Sequence, residues 1–348
     1  MLDKKHFTTF VLFGAGFFTV LLISGCLLVW FVNNYSNIHV NLSSNVVSSR
    51  YFLMLSNNDS KNTQSYIFNK LTIDDETTLI DFKKFKFIIN RSICNETNPF
   101  LVMLIHSAPS NFKKRHVIRE TWGRSLSSIA TLFLIGFSEK YQIQLEEENT
   151  EYQDIIQGNF FDSYRNITYK HVMALKWVTY YCPHARYMLK LDDDVFVHVQ
   201  ALVEFLRNRL LSTNSKRLIL CDTISSSMVK RSWRSKWRVS PKDYADIKYP
   251  RYCAGWAILY SSDVVFLLYK EAQKQPYFWI DDVHITGTLA KNINLTQTSL
   301  HSMILSENMM KLLLQNSNIK KKFFLGPPNL MENEIRSLNN ALAINKRK

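Results

Sequence analysis

Two groups of aspartates suggest the chemistry of this sequence. Three of them, Asp192–Asp194 in "KLDDDVF", end an apolar run rich in strand-forming residues. Because unpaired carboxylates are costly to bury, this group is either a solvated acidic turn or a site for a cation. Carboxylate oxygens are the ligands that Mg²⁺ and Mn²⁺ prefer, and a turn at a strand end lets Asp192 and Asp194 point to the same side. The three aspartates alone do not decide between the two interpretations.

A second acidic pair, Asp281 and Asp282 in "WIDDVHITG", lies far along the chain. A carboxylate within hydrogen-bond reach of a hydroxyl can act as a general base, whereas Asp281 is also suited to cap a helix formed by "VHITGTLA". Arg115 and Arg119 stand four residues apart in "RHVIRETW", so on a helix they share one face. That face suits an anionic diphosphate or a uracil edge, and the alternative is a solvated basic surface.

The elements that must position these residues alternate along the chain. Continuous apolar runs, typical of strands buried on both faces, alternate with segments of helical spacing. The runs are "FLVMLIHSA" (100–108), "IATLFLIGF" (129–137) and "RYMLKLDDD" (186–194), and the helical segments are 113–122, 169–182 and 199–210. This alternation predicts an α/β domain with a mainly parallel central sheet, in which ligands bind beyond the carboxyl ends of the strands. Asp192–Asp194 lie at one of those ends.

Residues 7–32 predict a single membrane span. They contain no charged side chain, and about 20 apolar residues suffice to cross a bilayer, whereas the core of a cleaved signal peptide is shorter. Lys4 and Lys5 precede the span, and the next lysine or arginine after it is Arg50. The positive-inside rule therefore predicts a type II topology, with residues 1–6 in the cytosol and the rest of the chain luminal or extracellular.

The luminal part divides by composition. Residues 33–97 are rich in Asn and Ser and predict a flexible stem, and residues 98–348 are expected to form the catalytic domain. The formal net charge of +14 would suggest nucleic acid as a partner. The predicted membrane anchor and the two acidic groups argue against a nucleic-acid-binding protein.

Sequons and cysteines agree with an oxidising, luminal compartment. The Asn-x-Ser/Thr sequons begin at Asn34, Asn41, Asn58, Asn90, Asn95, Asn166 and Asn294. Cys26 lies in the predicted span, and the luminal cysteines are Cys94, Cys182, Cys221 and Cys253. Four cysteines allow three pairings, and the sequence does not choose among them.

Six motifs, read in order, resemble the β-1,3-glycosyltransferases of glycosyltransferase family 31, the galactosyl- and N-acetylglucosaminyl-transferases. The motifs are "RHVIRETWG", "LFLIG", "EYQDIIQGNFFDSYRNITYK", "KLDDDVF", "KWRVSPKDYADIKYPRYCAGWAILYSSD" and "WIDDVHITG". The resemblance covers roughly residues 98–290 and implies a GT-A nucleotide-sugar-binding fold. It also implies a Golgi type II topology, a UDP-sugar donor, a divalent metal and inversion at the anomeric carbon.

The resemblance implies roles for individual residues. Asp194 matches the direct metal ligand, and Asp192 matches the residue that meets ribose or a metal-bound water. Asp282 matches the general base. His301 is the candidate for a metal-ligating histidine from the C-terminal part, with His284 as its rival. The residues expected to bind the UDP-sugar are Arg115, Arg119, Lys170, Asp192, Asp193, Lys236, Trp237, Tyr252, Gly255, Trp256 and Asp281.

The resulting prediction is an inverting hexosyltransferase of the Golgi membrane. It would move a sugar from UDP-galactose or UDP-N-acetylglucosamine to a glycan acceptor on a glycoprotein or glycolipid, in β-1,3 linkage, with Mn²⁺ or Mg²⁺. Asp281 stands where many family members have Glu, and these motifs do not separate the two donors. The alternative is a catalytically inactive luminal glycan-binding or chaperone-like protein that keeps the GT-A fold. The presence of Asp192, Asp194 and Asp282 favours the enzyme.

Overall fold

The computed structural model of the chain describes residues 71, 74–91, 93–124, 128–211, 216–315 and 322–345. The predicted cytosolic tail, the predicted span 7–32 and most of the predicted stem lie outside these residues. No helix within the described ranges is both long enough and apolar enough to cross a bilayer. The description below concerns the compact unit that begins at Ile67.

Ten strands of this unit form a hairpin and one large sheet. Their bounds are β1 Thr78–Leu79, β2 Phe82–Lys83, β3 Phe87–Ile89, β4 Leu101–His106, β5 Ile129–Phe137, β6 Ile155–Phe161, β7 Tyr187–Asp192, β8 Ile219–Ile224, β9 Tyr252–Ser261 and β10 Gln297–Ser299. Strands β1 and β2 form the hairpin, and the other eight form a sheet in the order β10-β8-β9-β7-β4-β5-β6-β3. Each residue of β4 is buried, as expected of a strand covered on both faces.

The centre of the sheet is parallel, as the sequence predicts. Strands β7, β4, β5 and β6 run in the same direction, β10 is parallel to β8, and β9 runs antiparallel to both β7 and β8. In the register of β4 and β7, His106 lies opposite Asp192. The three aspartates therefore stand at the carboxyl end of the sheet, at the position where ligands of α/β proteins bind.

Helices cover both faces of the sheet. Their bounds are α1 Ile93–Thr97, α2 Phe112–Glu120, α3 Gln142–Tyr152, α4 Ile167–Tyr181, α5 Val199–Phe205, α6 Ser262–Ala272, α7 Ala290–Asn292, α8 Glu307–Gln315 and α9 Glu332–Asn345. Leu206–Leu211 and Val283–Leu289 form π-helical stretches. Short 3₁₀ turns are Asp75–Thr77, Glu139–Tyr141, Tyr164–Asn166 and His301–Met303. One core lies under α4 and α6, and the other lies under α2, α5, α8 and α9.

Two disulfides resolve the pairing that the sequence left open. Cys94 pairs with Cys182, which ties α1 to the end of α4. Cys221 pairs with Cys253, which ties the neighbouring strands β8 and β9 together close to the site. Both pairs join segments that are distant in sequence, so each constrains the unfolded chain as well as the folded one.

Residues 74–91, which the sequence analysis assigned to the stem, belong to this unit and pack against its sheet and helices. Strand β3 pairs antiparallel with β6 and extends the sheet. The buried carboxylate of Asp75 accepts hydrogen bonds from Tyr180 Oη at 2.6 Å and from Tyr269 Oη at 2.5 Å. Lys176 Nζ lies 3.7 Å from the same carboxylate. The segment is thus anchored to α4 and α6.

The segment before α9 contacts the turn that follows β7. Gly326 N donates to Phe196 O at 2.7 Å, and Leu330 N donates to Asp194 O at 2.9 Å. The C-terminal part of the chain, which the sequence motifs left unassigned, therefore supports the backbone of the aspartate turn.

Candidate active site

The three consecutive aspartates have three different environments. Asp192 is the last residue of β7, and its Oδ1 lies 2.7 Å from the buried ammonium of Lys190. The carboxylate of Asp193 is buried, whereas the side chains of Asp192 and Asp194 are 35% and 24% exposed. The two outer carboxylates are therefore the ones that a ligand can reach, and the middle one faces the protein.

Asp193 attaches the turn to the loop that follows β4. Its Oδ2 accepts hydrogen bonds from Ser107 Oγ at 2.7 Å and from Asn111 Nδ2 at 2.8 Å. Lys114 Nζ lies 3.5 Å from Asp193 Oδ1 and 3.4 Å from Asp194 Oδ2. Partial burial lowers the pKa of Lys114, but the two carboxylates outweigh it and raise the pKa overall, so the ammonium is charged at neutral pH.

Lys190 is the buried cation at the centre of the site. Its ammonium donates to Asp192 Oδ1 and to the backbone carbonyl of Gly255 on β9. Burial lowers the pKa of Lys190, but the charges of Asp192 and Asp281 outweigh it and raise the pKa overall. A charged lysine at this position joins the aspartate turn electrostatically to the second acidic pair.

Asp281 is held by a histidine of α4. His171 Nδ1 lies 2.8 Å from Asp281 Oδ2, and His171 Nε2 lies 3.1 Å from Tyr260 Oη. The arrangement fits a neutral imidazole that donates through Nδ1 and accepts from the tyrosine, and burial lowers the pKa of His171 accordingly. Burial raises the pKa of Asp281, but the hydrogen bond from His171 and the charge of Lys190 outweigh it, so the net shift is downward.

Asp282 is the member of the second acidic pair whose pKa is raised. Its Oδ1 accepts a hydrogen bond from Val283 N at 2.8 Å, at the start of the π-helical stretch. Burial and the adjacent charge of Asp281 raise the pKa of Asp282 to about 7. A Cβ added at Gly255 would stand 3.2 Å from Asp282 Cβ and 3.4 Å from its Oδ2, so the glycine allows β9 to lie closely against this carboxylate.

Arg115 and Arg119 share a helix face, as predicted, and both bind carboxylates of the protein. Arg115 is fully buried, with Nε 2.8 Å from Glu148 Oε1 and Nη2 2.6 Å from Glu148 Oε2. Its Nη1 donates to Ser107 Oγ at 3.0 Å and to Ala108 O at 2.7 Å. Arg119 forms a two-point contact with Asp154. In this arrangement Arg115 supports the loop that holds Asp193.

Lys170, like Arg115, contacts the loop that follows β4. Its ammonium lies 2.7 Å from Asp162 Oδ2 and donates to Ser107 O at 2.7 Å. Asp162 Oδ2 also accepts from Gly136 N at 2.6 Å, so this ion pair connects the ends of β4, β5 and β6. Lys170 thus lies at the carboxyl edge of the sheet, with its charge directed to protein groups.

An aromatic surface leads towards the second acidic pair. Trp237 is half-exposed, its Nε1 donates to Tyr164 Oη at 2.9 Å, and Lys236 Nζ lies 4.4 Å from the centre of its ring. The Tyr164 ring is 6.1 Å from that of Trp279, two residues before Asp281. Exposed aromatic faces of this kind suit the apolar faces of sugars.

Tyr252 and Trp256, which were also expected to bind the UDP-sugar, pack against other parts of the protein. Tyr252 is buried in a cluster with Tyr249, Trp279 and Val283, next to the start of the π-helical stretch. Trp256 is partly buried and packs against the core under α2 and α9. The structure therefore brings Tyr252 close to the second acidic pair and gives Trp256 a packing role on β9.

The carboxylate oxygens of the aspartate turn are suitable ligands for a divalent cation. The positively charged ammonium of Lys114 lies next to these oxygens. Among the residues that the structure describes, no group of three or more His, Cys, Asp or Glu side chains is arranged to hold a metal. His301 is exposed, with Nδ1 3.2 Å from Asp222 Oδ1. His284 is buried, and burial lowers its pKa to about 4. The described structure does not gather either histidine with the aspartates into such a group.

Comparison with known proteins places these residues in a family. Residues 113–301 match the family model described as Galactosyltransferase. The chain is 33% identical over 259 residues to "Beta-1,3-galactosyltransferase 1" of Homo sapiens and of Mus musculus, covering 70% of this chain and 79% of each relative. The chain belongs to the galactosyltransferase family. The motifs that carried the sequence resemblance lie largely within the matched region.

Further relatives agree with the family match. The chain is 31% identical over 240 residues to "Beta-1,3-galactosyltransferase 5" of Gorilla gorilla gorilla, covering 65% of this chain and 79% of that one. Among solved structures, "WbbM bifunctional glycosytransferase apo structure" is similar with a TM-score of 0.37 and 11% identity, over 72% of this chain and 52% of that one. This chain thus spans about half of that protein's length, and the likeness is too low to add to the family match.

Several residues that contact the two acidic groups were not predicted from the sequence. They are Ser107, Asn111, Lys114, His171 and Lys190. The contact of Lys190 with Asp192 could have been predicted from the sequence, because residues two apart in a strand lie on the same face and Lys190 precedes Asp192 by two. The other four reach the aspartates across the fold, and no local pattern marks them.

Proposed function

We propose that this galactosyltransferase-family chain is an inverting hexosyltransferase with a GT-A fold, which transfers a sugar from a UDP-sugar to a glycan hydroxyl in β-1,3 linkage. The observation that carries the proposal is the placement of Asp282, which lies closely against Gly255 of β9 and next to Asp281, whose carboxylate His171 Nδ1 approaches to 2.8 Å. In this place burial and the charge of Asp281 raise the pKa of Asp282 to about 7. A base with a pKa near the working pH combines a large ionised fraction with useful proton affinity. Buried Lys190 links Asp282 to the aspartate turn, which is where a leaving nucleotide would be held.

The reaction is a single displacement. Asp282 takes the proton of the acceptor hydroxyl while that oxygen forms a bond to the anomeric carbon of the donor. The bond from the anomeric carbon to the diphosphate oxygen breaks, and UDP leaves with that electron pair. Because attack and departure occur on opposite sides of the anomeric carbon, its configuration inverts. Asp281, fixed by His171, keeps its charge and thereby keeps the pKa of Asp282 high.

The aspartate turn would hold the nucleotide end of the donor. Asp194 and Asp192 present partly exposed carboxylates and would hold Mn²⁺ or Mg²⁺, with Asp194 as the direct ligand. Such an ion supplies Lewis-acid stabilisation of the charge on departing UDP. Asp193 does not take part directly in this assignment, because Ser107 and Asn111 occupy one of its oxygens.

UDP-galactose is the first donor to test. The relatives reported above are named β-1,3-galactosyltransferases, which supports galactose. UDP-N-acetylglucosamine is the second, because Asp281 replaces the Glu that many family members have at this position. The acceptor is proposed to be the glycan of a glycoprotein or glycolipid, bound along the aromatic surface of Trp237 and Tyr164.

The proposed location is the Golgi membrane, with a single type II span and the catalytic unit in the lumen. The uncharged segment 7–32 and the preceding lysines support this topology. The two disulfides support an oxidising compartment, since such bonds are rare in cytosolic proteins.

A donor panel tests the proposed function. Full-length protein in detergent micelles would be incubated with each UDP-sugar, Mn²⁺ and a glycan acceptor, and the linkage of the product would be determined by NMR. We expect transfer from UDP-galactose or UDP-N-acetylglucosamine with a β-1,3 product, and loss of transfer in the Asp282→Asn variant. Binding of glycans without turnover of any UDP-sugar would instead support the inactive, glycan-binding alternative.

A further inference from the structure

Lys114 occupies a position at the aspartate turn that the proposed mechanism does not use. It lies in the first turn of α2, and its ammonium stands between two carboxylates, 3.5 Å from Asp193 Oδ1 and 3.4 Å from Asp194 Oδ2. The side chains of Lys114 and Asp194 are 27% and 24% exposed, so ions and ligands can reach both. The neighbouring Lys113 is exposed on the same helix.

The two carboxylates that Lys114 contacts differ in how firmly they are held. Asp193 is buried and is fixed from its other side by Ser107 and Asn111, so its position does not depend on the lysine alone. Asp194 is open to solvent, and it is the residue assigned to a divalent cation. An ammonium beside Asp194 Oδ2 and a divalent cation bound to the same carboxylate repel each other, because both are positive and close.

The charges around the turn are already partly balanced without any ion. Lys190 lies against Asp192, and Lys114 lies against Asp193 and Asp194. Two ammonium groups thus face three carboxylates. The turn can therefore form in the absence of a metal, and a cation that binds there must displace one of the two lysines. Lys190 is buried and its ammonium also donates to the carbonyl of Gly255, whereas the side chain of Lys114 is 27% exposed, so Lys114 is the lysine with room to move aside.

We propose that Lys114 is the built-in counter-cation of the aspartate turn, pairing with Asp194 in the nucleotide-free protein and with the diphosphate of the donor in the bound state. This role rests on the proposed function, because the diphosphate of a UDP-sugar is the anion that the lysine would meet. Lysine suits an exchange of partners, since it is a point charge on a flexible chain of four carbons. The exchange couples the two binding events: nucleotide draws the ammonium away from Asp194 and so frees that carboxylate for the metal.

Calorimetric binding measurements on full-length protein in detergent test this role. The variant is Lys114→Met, which removes the charge and keeps most of the volume, and Lys113→Met is the matched control. Without nucleotide, we expect Lys114→Met to bind Mn²⁺ about five- to tenfold more tightly than wild type, since a repelling charge is gone. With a chelator present and no metal, we expect it to bind UDP about five- to tenfold more weakly. Its affinity for uridine should equal that of wild type, and Lys114→Arg should retain UDP binding.

If Lys114 only supported the structure of the turn, its replacement would not strengthen the binding of Mn²⁺ while weakening the binding of UDP. Weaker binding of Mn²⁺ and UDP together would mean that the substitution damages the turn, and it would overturn the proposal. Affinities equal to those of Lys113→Met would overturn it as well. If wild-type protein bound no UDP at all, the proposed function itself would fail and this role with it, an outcome that the wild-type titration shows before any variant is measured.

Discussion

His171 and Asp281 form a buried pair in which Nδ1 of the imidazole lies 2.8 Å from Oδ2 of the carboxylate. The pair keeps Asp281 ionised in a place where an isolated carboxylate would take up a proton. A fixed negative charge one residue away then raises the pKa of Asp282. The two adjacent aspartates thus differ in pKa: that of Asp281 is lowered, and that of Asp282 is raised to about 7.

The first prediction concerns pH and Asp282. Because a general base must be ionised, kcat/KM should rise with pH and level off above an apparent pKa near 7. Asp282→Asn, which has no base at this position, should lose about 10²–10⁴-fold in kcat. Initial rates between pH 5 and 9, with a saturating donor and a varied concentration of acceptor, would measure both effects, and a flat profile would contradict the assignment.

Thermal unfolding of the same variant supplies its control. The folded-state pKa of Asp282 lies above its value in the unfolded chain, so the native state binds the proton more tightly and stability falls as pH rises from about 4 to about 7. Asn is neutral at every pH. Since Asp282 is partly exposed and the shift must be discounted for solvent, Asp282→Asn should be about 1–2 kcal/mol more stable than wild type at pH 8. A variant that is less stable at pH 8 would indicate misfolding rather than loss of a base.

The second prediction tests the link between His171 and the proton affinity of Asp282. In His171→Phe the hydrogen bond to Asp281 is lost, so the pKa of Asp281 should rise and its charge should be partly neutralised. Asp282 then has less repulsion to overcome, and the apparent pKa of the rate profile should move down by about one unit. An unchanged apparent pKa in a folded, active variant would show that the two carboxylates titrate independently.

The third prediction concerns the close approach of β9 to the base. In Gly255→Ala the new methyl group would meet Asp282 at 3.2–3.4 Å, which requires a shift of a few tenths of an ångström. Misplacement of a catalytic group is costly, so kcat should fall about 10-fold or more while the donor affinity changes little. Donor binding by calorimetry and the melting temperature serve as controls. Full activity would show that the carboxylate can move without effect.

The fourth prediction tests whether Arg115 stabilises the fold through Glu148 or binds the diphosphate of the substrate. Arg115→Met removes the two-point partner of Glu148, which keeps only the contact of its Oε1 with Arg119 Nη1 at 2.7 Å. Because that contact partly compensates the buried charge, the loss of stability should lie at or below the low end of the about 3–5 kcal/mol that a fully broken buried pair costs. The double variant Arg115→Met with Glu148→Leu should recover much of that stability in urea unfolding. Direct binding of the diphosphate by Arg115 would instead give a stable single variant with weakened UDP affinity.

The fifth prediction concerns where the folded unit begins. A protein that starts at residue 67 keeps Asp75 between Tyr180, Tyr269 and Lys176, whereas one that starts at residue 92 leaves that buried lysine without its carboxylate. We expect the shorter protein to be less stable by about 3–5 kcal/mol, or to aggregate. Equal melting temperatures for the two proteins would show that residues 74–91 are dispensable for stability.

The sequence predicted the features that local patterns encode. Continuous apolar runs identified β4, β5 and β7 because buried parallel strands need apolar side chains on both faces. The position of Asp192 at the end of β7 followed from the same pattern. Family resemblance added the assignment of Asp282, which no property of the isolated motif could supply.

Features that depend on contacts across the fold were not predicted. Arg115 was expected to meet a nucleotide, yet its position in the fold pairs it with Glu148, whose placement depends on the packing of α3 against α2. The anchoring of the supposed stem through Asp75 depends on tyrosines of α4 and α6. Such long-range pairs leave no periodic trace, since the partners lie far apart in sequence.

The backbone bond from Leu330 to Asp194 has a consequence for the order of events during synthesis. At ~5–20 residues per second, the aspartates leave the ribosome several seconds before the residues that support their turn. Throughout that interval the turn lacks its C-terminal support, even though β4, β5 and β7 are already available to pair. The finished arrangement of the carboxylates therefore waits for the end of translation, and a chain that stops before Leu330 should have its sheet formed and its aspartate turn unsecured.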